Sequence, residues 1–207
     1  MRPSAYGIIL AAGRGTRFGG EKLLAPALDR PLAAWAFDAV LAAVRAGSLA
    51  GVVAVVPRRH HALATLADAR GFAVTTAAED APLSTSLAVG LAHLEHQHAA
   101  AAAAAVVVLA DQPALQPAAI VRLVERWHDT GAPALRARYG QDRDTPGHPV
   151  LLDRSLWGTA SEITGDRGIA HVLAARGMEM VPVDLPGRNP DIDTESDLKA
   201  WLREVRE

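Results

Sequence analysis

The chain of 207 residues contains no cysteine. This absence excludes disulfide bonds, thiolate zinc sites, iron–sulfur clusters and a cysteine nucleophile. The charges nearly cancel, with 21 basic against 23 acidic side chains, so no basic field is present to hold a nucleic acid backbone. Lysine is also scarce, because all basic residues except Lys22 and Lys199 are arginine. A lysine retained in such a chain suggests a place where a compact ammonium group is required.

Long hydrophobic runs are missing as well. The longest apolar stretch, residues 99–110, has 12 residues, against about 20 for a membrane-spanning helix. The apolar stretch at residues 8–12 is too short for a secretory signal and runs directly into a glycine-rich segment. We therefore expect no association with membranes and predict a cytoplasmic location.

The pattern of hydrophobic residues predicts an α/β fold. Half of the residues are hydrophobic and 21% are charged, which is ordinary for a globular chain, and the length favours one domain or at most two small ones. Strands are predicted at residues 6–10, 52–56, 72–76, 106–109, 134–139, 149–152 and 178–185, and helices at 32–45, 60–70, 84–96, 117–128, 168–176 and 195–205. The alanine-rich residues 99–105 are interpreted as a helix end and turn. This alternation indicates a Rossmann-like, mostly parallel sheet with helices on both faces, whose ligands bind where the strands end.

The first predicted strand leads into a glycine-rich loop at residues 10–22, with the sequence LAAGRGTRFGGEK. Glycines allow a backbone to approach a polyphosphate closely and to aim its N–H groups at it. Two common phosphate-binding motifs do not fit, however. Phe18 occupies the third glycine position of a dinucleotide-binding fingerprint, and Glu21 stands where a P-loop requires lysine. A glycine-rich turn with solvated charges is the alternative interpretation.

A second polar loop follows the apolar strand at residues 106–109. Asp111 in this loop lies at the predicted ligand edge of the sheet, where a carboxylate can hold Mg²⁺ together with substrate phosphates. A simple turn or cap residue is the alternative. Near the C-terminus, Thr194 is predicted to cap the last helix, with Glu195 and Asp197 in its first turn. This capping leaves Asp193 free to face the cleft.

These strings together resemble a known family. The pattern Leu-Ala-Ala-Gly-x-Gly-x-Arg-x-Gly-x-x-Lys at residues 10–22 is similar to that of nucleotidyltransferases of the molybdopterin-nucleotide type, within the wider group that makes nucleoside-diphosphate sugars. LADQP at 109–113 and DIDTESDL at 191–198 are similar to the same family's metal-binding segments. The resemblance spans residues 6–202. It implies a nucleotide-diphospho-sugar transferase type of fold and a single nucleotidyltransferase domain over residues 1–207.

The resemblance also implies residue roles. The residues implied to bind the nucleotide are Leu10, Ala11, Ala12, Gly13, Gly15, Thr16, Arg17, Lys22, Ser84 and Ser86. Those implied to be catalytic are Arg17, Lys22 and Asp111, and the implied Mg²⁺ ligands are Asp111 and Asp193. Those implied to lie on the acceptor side are Gln112, Pro113, His148 and Asp166. For Ser84 a helix cap is the alternative, and for His148 a histidine on a polar turn.

The activity that the resemblance implies is Mg²⁺-dependent transfer of CMP from CTP to the terminal phosphate of the molybdenum-pterin cofactor, with release of pyrophosphate. Its partners would be CTP, a molybdopterin-type acceptor and a molybdenum hydroxylase apoenzyme that receives the product. Three alternatives stay open at this point. They are a guanylyl- or sugar- or polyol-phosphate nucleotidyltransferase, an NAD(P)H-dependent oxidoreductase related to the family, and a binding module that delivers the pterin cofactor without chemistry.

Overall fold

A computed structural model of the chain describes residues 3–12, 17–140, 147–163 and 169–206. The strands are β1 Ser4–Leu10, β2 Pro26–Ala27, β3 Arg30–Pro31, β4 Val52–Pro57, β5 Ala73–Ala77, β6 Ala102–Leu109, β7 Ala134–Tyr139, β8 Val150–Asp153 and β9 Val181–Leu185. The α-helices are α1 Leu32–Arg45, α2 His61–Asp68, α3 Leu83–Gln97, α4 Pro117–Thr130, α5 Ile169–Ala175 and α6 Glu195–Glu204. Short 3₁₀ helices cover Lys22–Leu24 and Arg154–Glu162. Among the described residues, no helix combines the length and the apolar character that crossing a bilayer requires.

The main sheet is mostly parallel, as the sequence predicts. Its strand order is β5-β4-β1-β6-β8-β7-β9, and β1 pairs in parallel with both β4 and β6. β8 runs antiparallel to its neighbours β6 and β7. Leu10 at the end of β1 lies directly opposite Leu109 at the end of β6. The two loops that follow these strands therefore begin side by side at the carboxyl edge of the sheet.

Helices cover both faces of this sheet, which confirms the predicted layer arrangement. The strands alternate their side chains, so that Ile9 contributes to one hydrophobic cluster and Ile8 to the other. The first cluster packs against α1, α2 and α4, and the second against α3, α5 and the 3₁₀ helix Arg154–Glu162. Both isoleucines are 0% exposed. The two layers make the sheet a rigid platform for the loops at its carboxyl edge.

Helix α3 approaches the sheet closely at Gly90. A Cβ atom at this position would lie 2.7 Å from Cγ2 of Ile8 and 3.2 Å from Cγ2 of Val55. We therefore expect Gly90→Ala to lower the free energy of unfolding by about 1–2 kcal/mol in urea titrations, because overpacking outweighs the better helix propensity of alanine. Gly158→Ala is the control, since its Cβ would enter open space. Equal stability of the two variants would contradict this account of the packing.

The helix end and turn predicted for residues 99–105 are wrong in part, because β6 already begins at Ala102. Ala104 and Ala105 pair with β1 and are 0% exposed. Alanine favours helix by less than about 1 kcal/mol per residue, and burial in the centre of the sheet outweighs that preference. The predicted cap at Ser84 is also wrong. Pro82 is the N-cap of α3 and makes no side-chain cap, and Ser84 lies inside the first helical turn.

Candidate functional site

Charged side chains from three separate segments meet at the carboxyl edge of the sheet. Lys22 begins a 3₁₀ helix, Asp111 follows β6, and Asp193 precedes α6. The Nζ atom of Lys22 lies 2.7 Å from Oδ2 of Asp111 and 3.4 Å from Oδ1 of Asp193. The lysine side chain is only 10% exposed. One enclosed ammonium group thus holds together two carboxylates that are far apart in the sequence.

Arg17 adds a second positive charge at the same place. Its Nη2 atom lies 3.0 Å from Oδ2 of Asp193, so each oxygen of that carboxylate has a cationic partner. The Arg17 side chain is 74% exposed, which makes this pair subject to screening by water and salt. Arg17 can therefore reach a ligand from solvent, whereas Lys22 is held between its two acidic partners.

The backbone at Asp193 is fixed by the start of α6. Thr194 is the N-cap and forms a capping box with Asp197, as the sequence predicts. Oδ2 of Asp197 accepts from the Thr194 backbone N at 2.7 Å and from the Asp193 backbone N at 3.1 Å. The Thr194 hydroxyl also donates to this oxygen. These hydrogen bonds lower the pKa of the Asp197 carboxyl, and the bond from the Thr194 hydroxyl has the largest effect. A further bond from the Ile192 N–H to the carbonyl of Asp111, at 3.0 Å, ties the two acidic segments together.

A cavity of about 600 Å³ lies beside these charges, a size typical of small-molecule sites. The predicted residues that line it are Leu10, Ala11, Ala12, Arg17, Lys22, Ser86, Asp111 and Asp193. Ser86 is 2% exposed, and its Oγ has no hydrogen-bond partner among the described residues. A buried hydroxyl without a partner costs free energy, and a polar atom of a ligand in the cavity would remove that cost.

The described residues predicted for the acceptor side, Gln112, Pro113 and His148, do not line this cavity. Gln112 is 4% exposed, and Pro113 is also buried. Both ends of the Gln112 amide bond to the protein: Nε2 donates to Oδ1 of Asp191 at 2.8 Å, and Oε1 accepts from Nδ2 of Asn189 at 2.9 Å. Whether Gln112 and Pro113 also contact an acceptor stays a prediction.

His148 lines a second, smaller cavity of about 30 Å³, together with Ser84 and apolar side chains. Burial lowers the pKa of His148 to about 4, and the nearby charge of Asp111 opposes this shift only in part. The imidazole is therefore neutral at pH 7, able to donate one hydrogen bond and accept another. Ser84 thus shares a cavity with His148, while Ser86 faces the larger one.

The donor set suits a hard divalent cation. Oxygens of Asp111 and Asp193 converge within 3.4 Å of one point, the Nζ of Lys22. Asp191 is a third carboxyl group near Asp111. Its pKa is raised, mainly by burial and secondly by the negative charge of Asp111. In the described part of the chain, no group of three or more His, Asp or Glu side chains forms a metal cage. Mg²⁺ is commonly bound without such a cage, by one or two carboxylates together with substrate phosphates.

Four predicted site residues, Gly13, Gly15, Thr16 and Asp166, lie outside the described residues. Two residues that the sequence analysis missed lie next to the site. Asn189 bonds to Gln112, and Tyr139 donates from its hydroxyl to the carbonyl of His148 at 3.1 Å. Neither residue belongs to a sequence motif. The one available signal was that Asn189 is the only asparagine in the chain.

Comparison with known proteins identifies the family and the fold. A sequence profile of MobA-like NTP transferase domains matches residues 7–189. A search of curated proteins found no significant match. Among solved structures, the chain is similar to Rv0371c from Mycobacterium tuberculosis H37Rv, with 24% identity and a TM-score of 0.80 over 98% of this chain and 99% of that one.

Two further solved structures have the same fold. Rv0371c from Mycobacterium tuberculosis in complex with manganese has 24% identity and a TM-score of 0.76, over 98% of this chain and 100% of that one. CMP:2-keto-3-deoxy-manno-octonic acid synthetase complexed with CTP has 12% identity and a TM-score of 0.77, over 98% of both chains. These likenesses confirm the nucleotide-diphospho-sugar transferase type of fold. Because the family profile covers most of its length, the chain belongs to the family of MobA-like NTP transferase domains and is a nucleotidyltransferase.

Proposed function

We propose that the protein is a molybdenum cofactor cytidylyltransferase, which transfers CMP from CTP to the terminal phosphate of the molybdenum-pterin cofactor and releases pyrophosphate. The observation that supports nucleotidyl transfer is the convergence of Lys22, Asp111 and Asp193 beside a cavity of about 600 Å³, and the choice of acceptor rests on the resemblance in sequence. Residues 1–207 act as a single nucleotidyltransferase domain in this proposal. The expected cytoplasmic location stays a prediction.

The reaction forms a bond between an oxygen of the acceptor phosphate and the α-phosphorus of CTP, and it breaks the bond between the α-phosphorus and the leaving pyrophosphate oxygen. Such transfers depend on positioning and on neutralising negative charge. Lys22 and Arg17 supply two positive charges for the triphosphate and the leaving pyrophosphate. The acceptor phosphate is already ionised, so no side chain has to act as a nucleophile.

Asp111 and Asp193 are the residues that would hold Mg²⁺ in this proposal. When bound, the metal ion neutralises phosphate charge and orients the triphosphate. The similarly folded Rv0371c has been solved in complex with manganese, which supports the use of a divalent cation in this proposal. The Asp193 backbone is fixed by the cap of α6 and the Asp111 backbone by the Ile192 amide, so both carboxylates start from anchored positions.

The choice of CTP rests on two strings, GHPVL at residues 147–151 and TGDRG at residues 164–168, that are similar to the cytidylyl branch of the family, and on a neighbour in fold whose structure holds CTP. Ser86 offers an unsatisfied hydroxyl in the cavity for a polar edge of the base. On the acceptor side, the neutral His148 would donate a hydrogen bond to the acceptor, and Asp166 joins it in the proposal. A molybdenum hydroxylase apoenzyme is the proposed recipient of the product.

Thermal unfolding with Mg²⁺ and one nucleotide at a time tests this function. A ligand at 100 times its dissociation constant stabilises the folded state by about 2.7 kcal/mol. For a chain of this size we expect CTP to raise the unfolding midpoint by about 5–10 °C, and only with Mg²⁺ present. Ser86→Ala should reduce the shift, whereas Ser48→Ala, outside the cavity, should not.

The other ligands in this test separate the alternatives. A shift with GTP instead of CTP would retain the nucleotidyltransferase class and contradict the cytidylyl assignment. A shift with NADH and with no triphosphate would contradict the proposed function and favour the oxidoreductase alternative. Pyrophosphate release on addition of the pterin acceptor separates an enzyme from a module that only binds and delivers the cofactor.

A further inference from the structure

Asn189, in the segment between β9 and α6, joins two parts of the site. Its Nδ2 donates to Oε1 of Gln112 at 2.9 Å and to the carbonyl oxygen of His148 at 3.3 Å. Gln112 directly follows Asp111, and His148 lies just before β8. Because two acceptors face the same nitrogen, the orientation of the Asn189 amide is determined. One side chain therefore connects the loop of a proposed metal ligand to the turn on the acceptor side.

The hydrogen bonds that link Asn189 to Gln112 and Gln112 to Asp191 all run in one direction. Gln112 donates from Nε2 to Oδ1 of Asp191, so its Oε1 is left to accept from Asn189. If the Gln112 amide were reversed, its oxygen would face the Asp191 carboxyl and its nitrogen would face another donor. Gln112 is 4% exposed, which limits rescue by water. Position 189 consequently requires a donor, and neither aspartate nor leucine supplies one.

The segment that carries Asn189 touches the site at further points. The Ile192 amide donates to the Asp111 carbonyl, and Asp193 pairs with Lys22 and Arg17. Residues 189–193 thus contact both the loop that carries Asp111 and the side chains of Lys22 and Arg17. Asn189 is the member of this segment that also reaches the acceptor side.

We propose that Asn189 is a positioning residue for nucleotidyl transfer, because its amide sets the placement of the Asp111 loop relative to the His148 turn. The inference rests on the proposed function, in which Asp111 serves the nucleotide and His148 the acceptor. Asn189, Gln112 and His148 do not line the larger cavity. Because Lys22 still holds the Asp111 carboxylate at 2.7 Å, loss of the Asn189 amide is expected to misalign the His148 turn and to leave the nucleotide pocket in place.

The test compares Asn189→Leu and Asn189→Asp with the control Arg188→Ala, which removes only an exposed ion pair with Glu204. In both Asn189 variants, kcat with CTP and the pterin acceptor should fall about 100-fold, as expected when reacting groups are misplaced by about 1 Å. The dissociation constant of CTP with Mg²⁺ should stay within about two-fold of wild type. Hydrogen exchange at the Ile192 amide should become about ten-fold faster, because the segment loses an anchor. Arg188→Ala should change none of these quantities.

Any of three results would overturn the inference. The first two are a wild-type kcat in Asn189→Leu and an unchanged exchange rate of the Ile192 amide in that variant. The third is a parallel loss of CTP affinity, since that would show a general disturbance of the site. A wild-type protein that releases no pyrophosphate from any nucleoside triphosphate would instead contradict the proposed function, and this inference with it. Tyr139→Phe removes the other donor to the His148 carbonyl and should give a smaller loss of kcat than Asn189→Leu.

Discussion

Lys22→Met is expected to lower kcat/KM by about 10²- to 10³-fold and to destabilise the fold at the same time. In the proposed function the rate falls because a preorganised charge at the transferring phosphates is lost, and a loss of this kind costs about 10²- to 10³-fold. The fold is destabilised because Asp111 and Asp193 then face each other without the ammonium group between them. Since both carboxylates are partly solvated, the expected loss is about 1–2 kcal/mol, below the cost of breaking a fully buried pair.

Mg²⁺ is expected to stabilise Lys22→Met more than it stabilises the wild-type protein. A divalent cation can replace the missing positive charge between the two carboxylates, so Mg²⁺ should raise the unfolding midpoint of Lys22→Met more than that of wild type. Lys199→Met is the matched control, because Lys199 is the only other lysine and forms an exposed pair with Glu195. Wild-type turnover in Lys22→Met, or a Mg²⁺ response equal to that of the control, would contradict the assigned role of this lysine.

Asp111→Asn is the second variant with a large expected effect, and here activity and stability should separate. Asparagine keeps the size of the side chain and can still accept the bond from Lys22, now at 2.7 Å. The fold should therefore change in stability by less than about 1 kcal/mol. The carboxylate charge that would hold the metal ion in the proposed function is lost, so kcat/KM should fall about 10²- to 10³-fold.

Steady-state kinetics over a range of Mg²⁺ concentrations, with unfolding measured in parallel, test this second prediction. Asp29→Asn is a suitable control, because Asp29 forms an exposed ion pair with Arg30 at 2.8 Å and does not line the cavity. If Asp111→Asn retained more than about a tenth of the wild-type kcat/KM, Asp111 would not be a metal ligand in the reaction.

Local sequence was enough to predict the positions of Lys22 and Asp111 and the cap at Thr194. Lys22 and Asp111 lie in segments that follow strands β1 and β6, and the Thr194 cap, which the structure confirms, follows from residue types three positions apart. The series of hydrogen bonds from Asn189 through Gln112 to Asp191 was not predictable in this way. Its central bond joins Gln112 after β6 to Asn189 after β9, which are 77 positions apart, and no local sequence pattern encodes such a contact. The short hairpin of β2 and β3 was missed because each strand has only two residues.

The direction of β8 has a consequence for how this architecture can diverge. Because β8 is antiparallel to β6, the chain enters β8 at the same edge where it leaves β1 and β6. In the proposed function, donor and acceptor are therefore served by different stretches of polypeptide that meet at one edge of the sheet. Under that proposal, insertions or deletions between β7 and β8 would alter which acceptor is bound, while the register of β1 with β6 stays intact. A lineage would in this way change its second substrate and keep the nucleotide half unaltered.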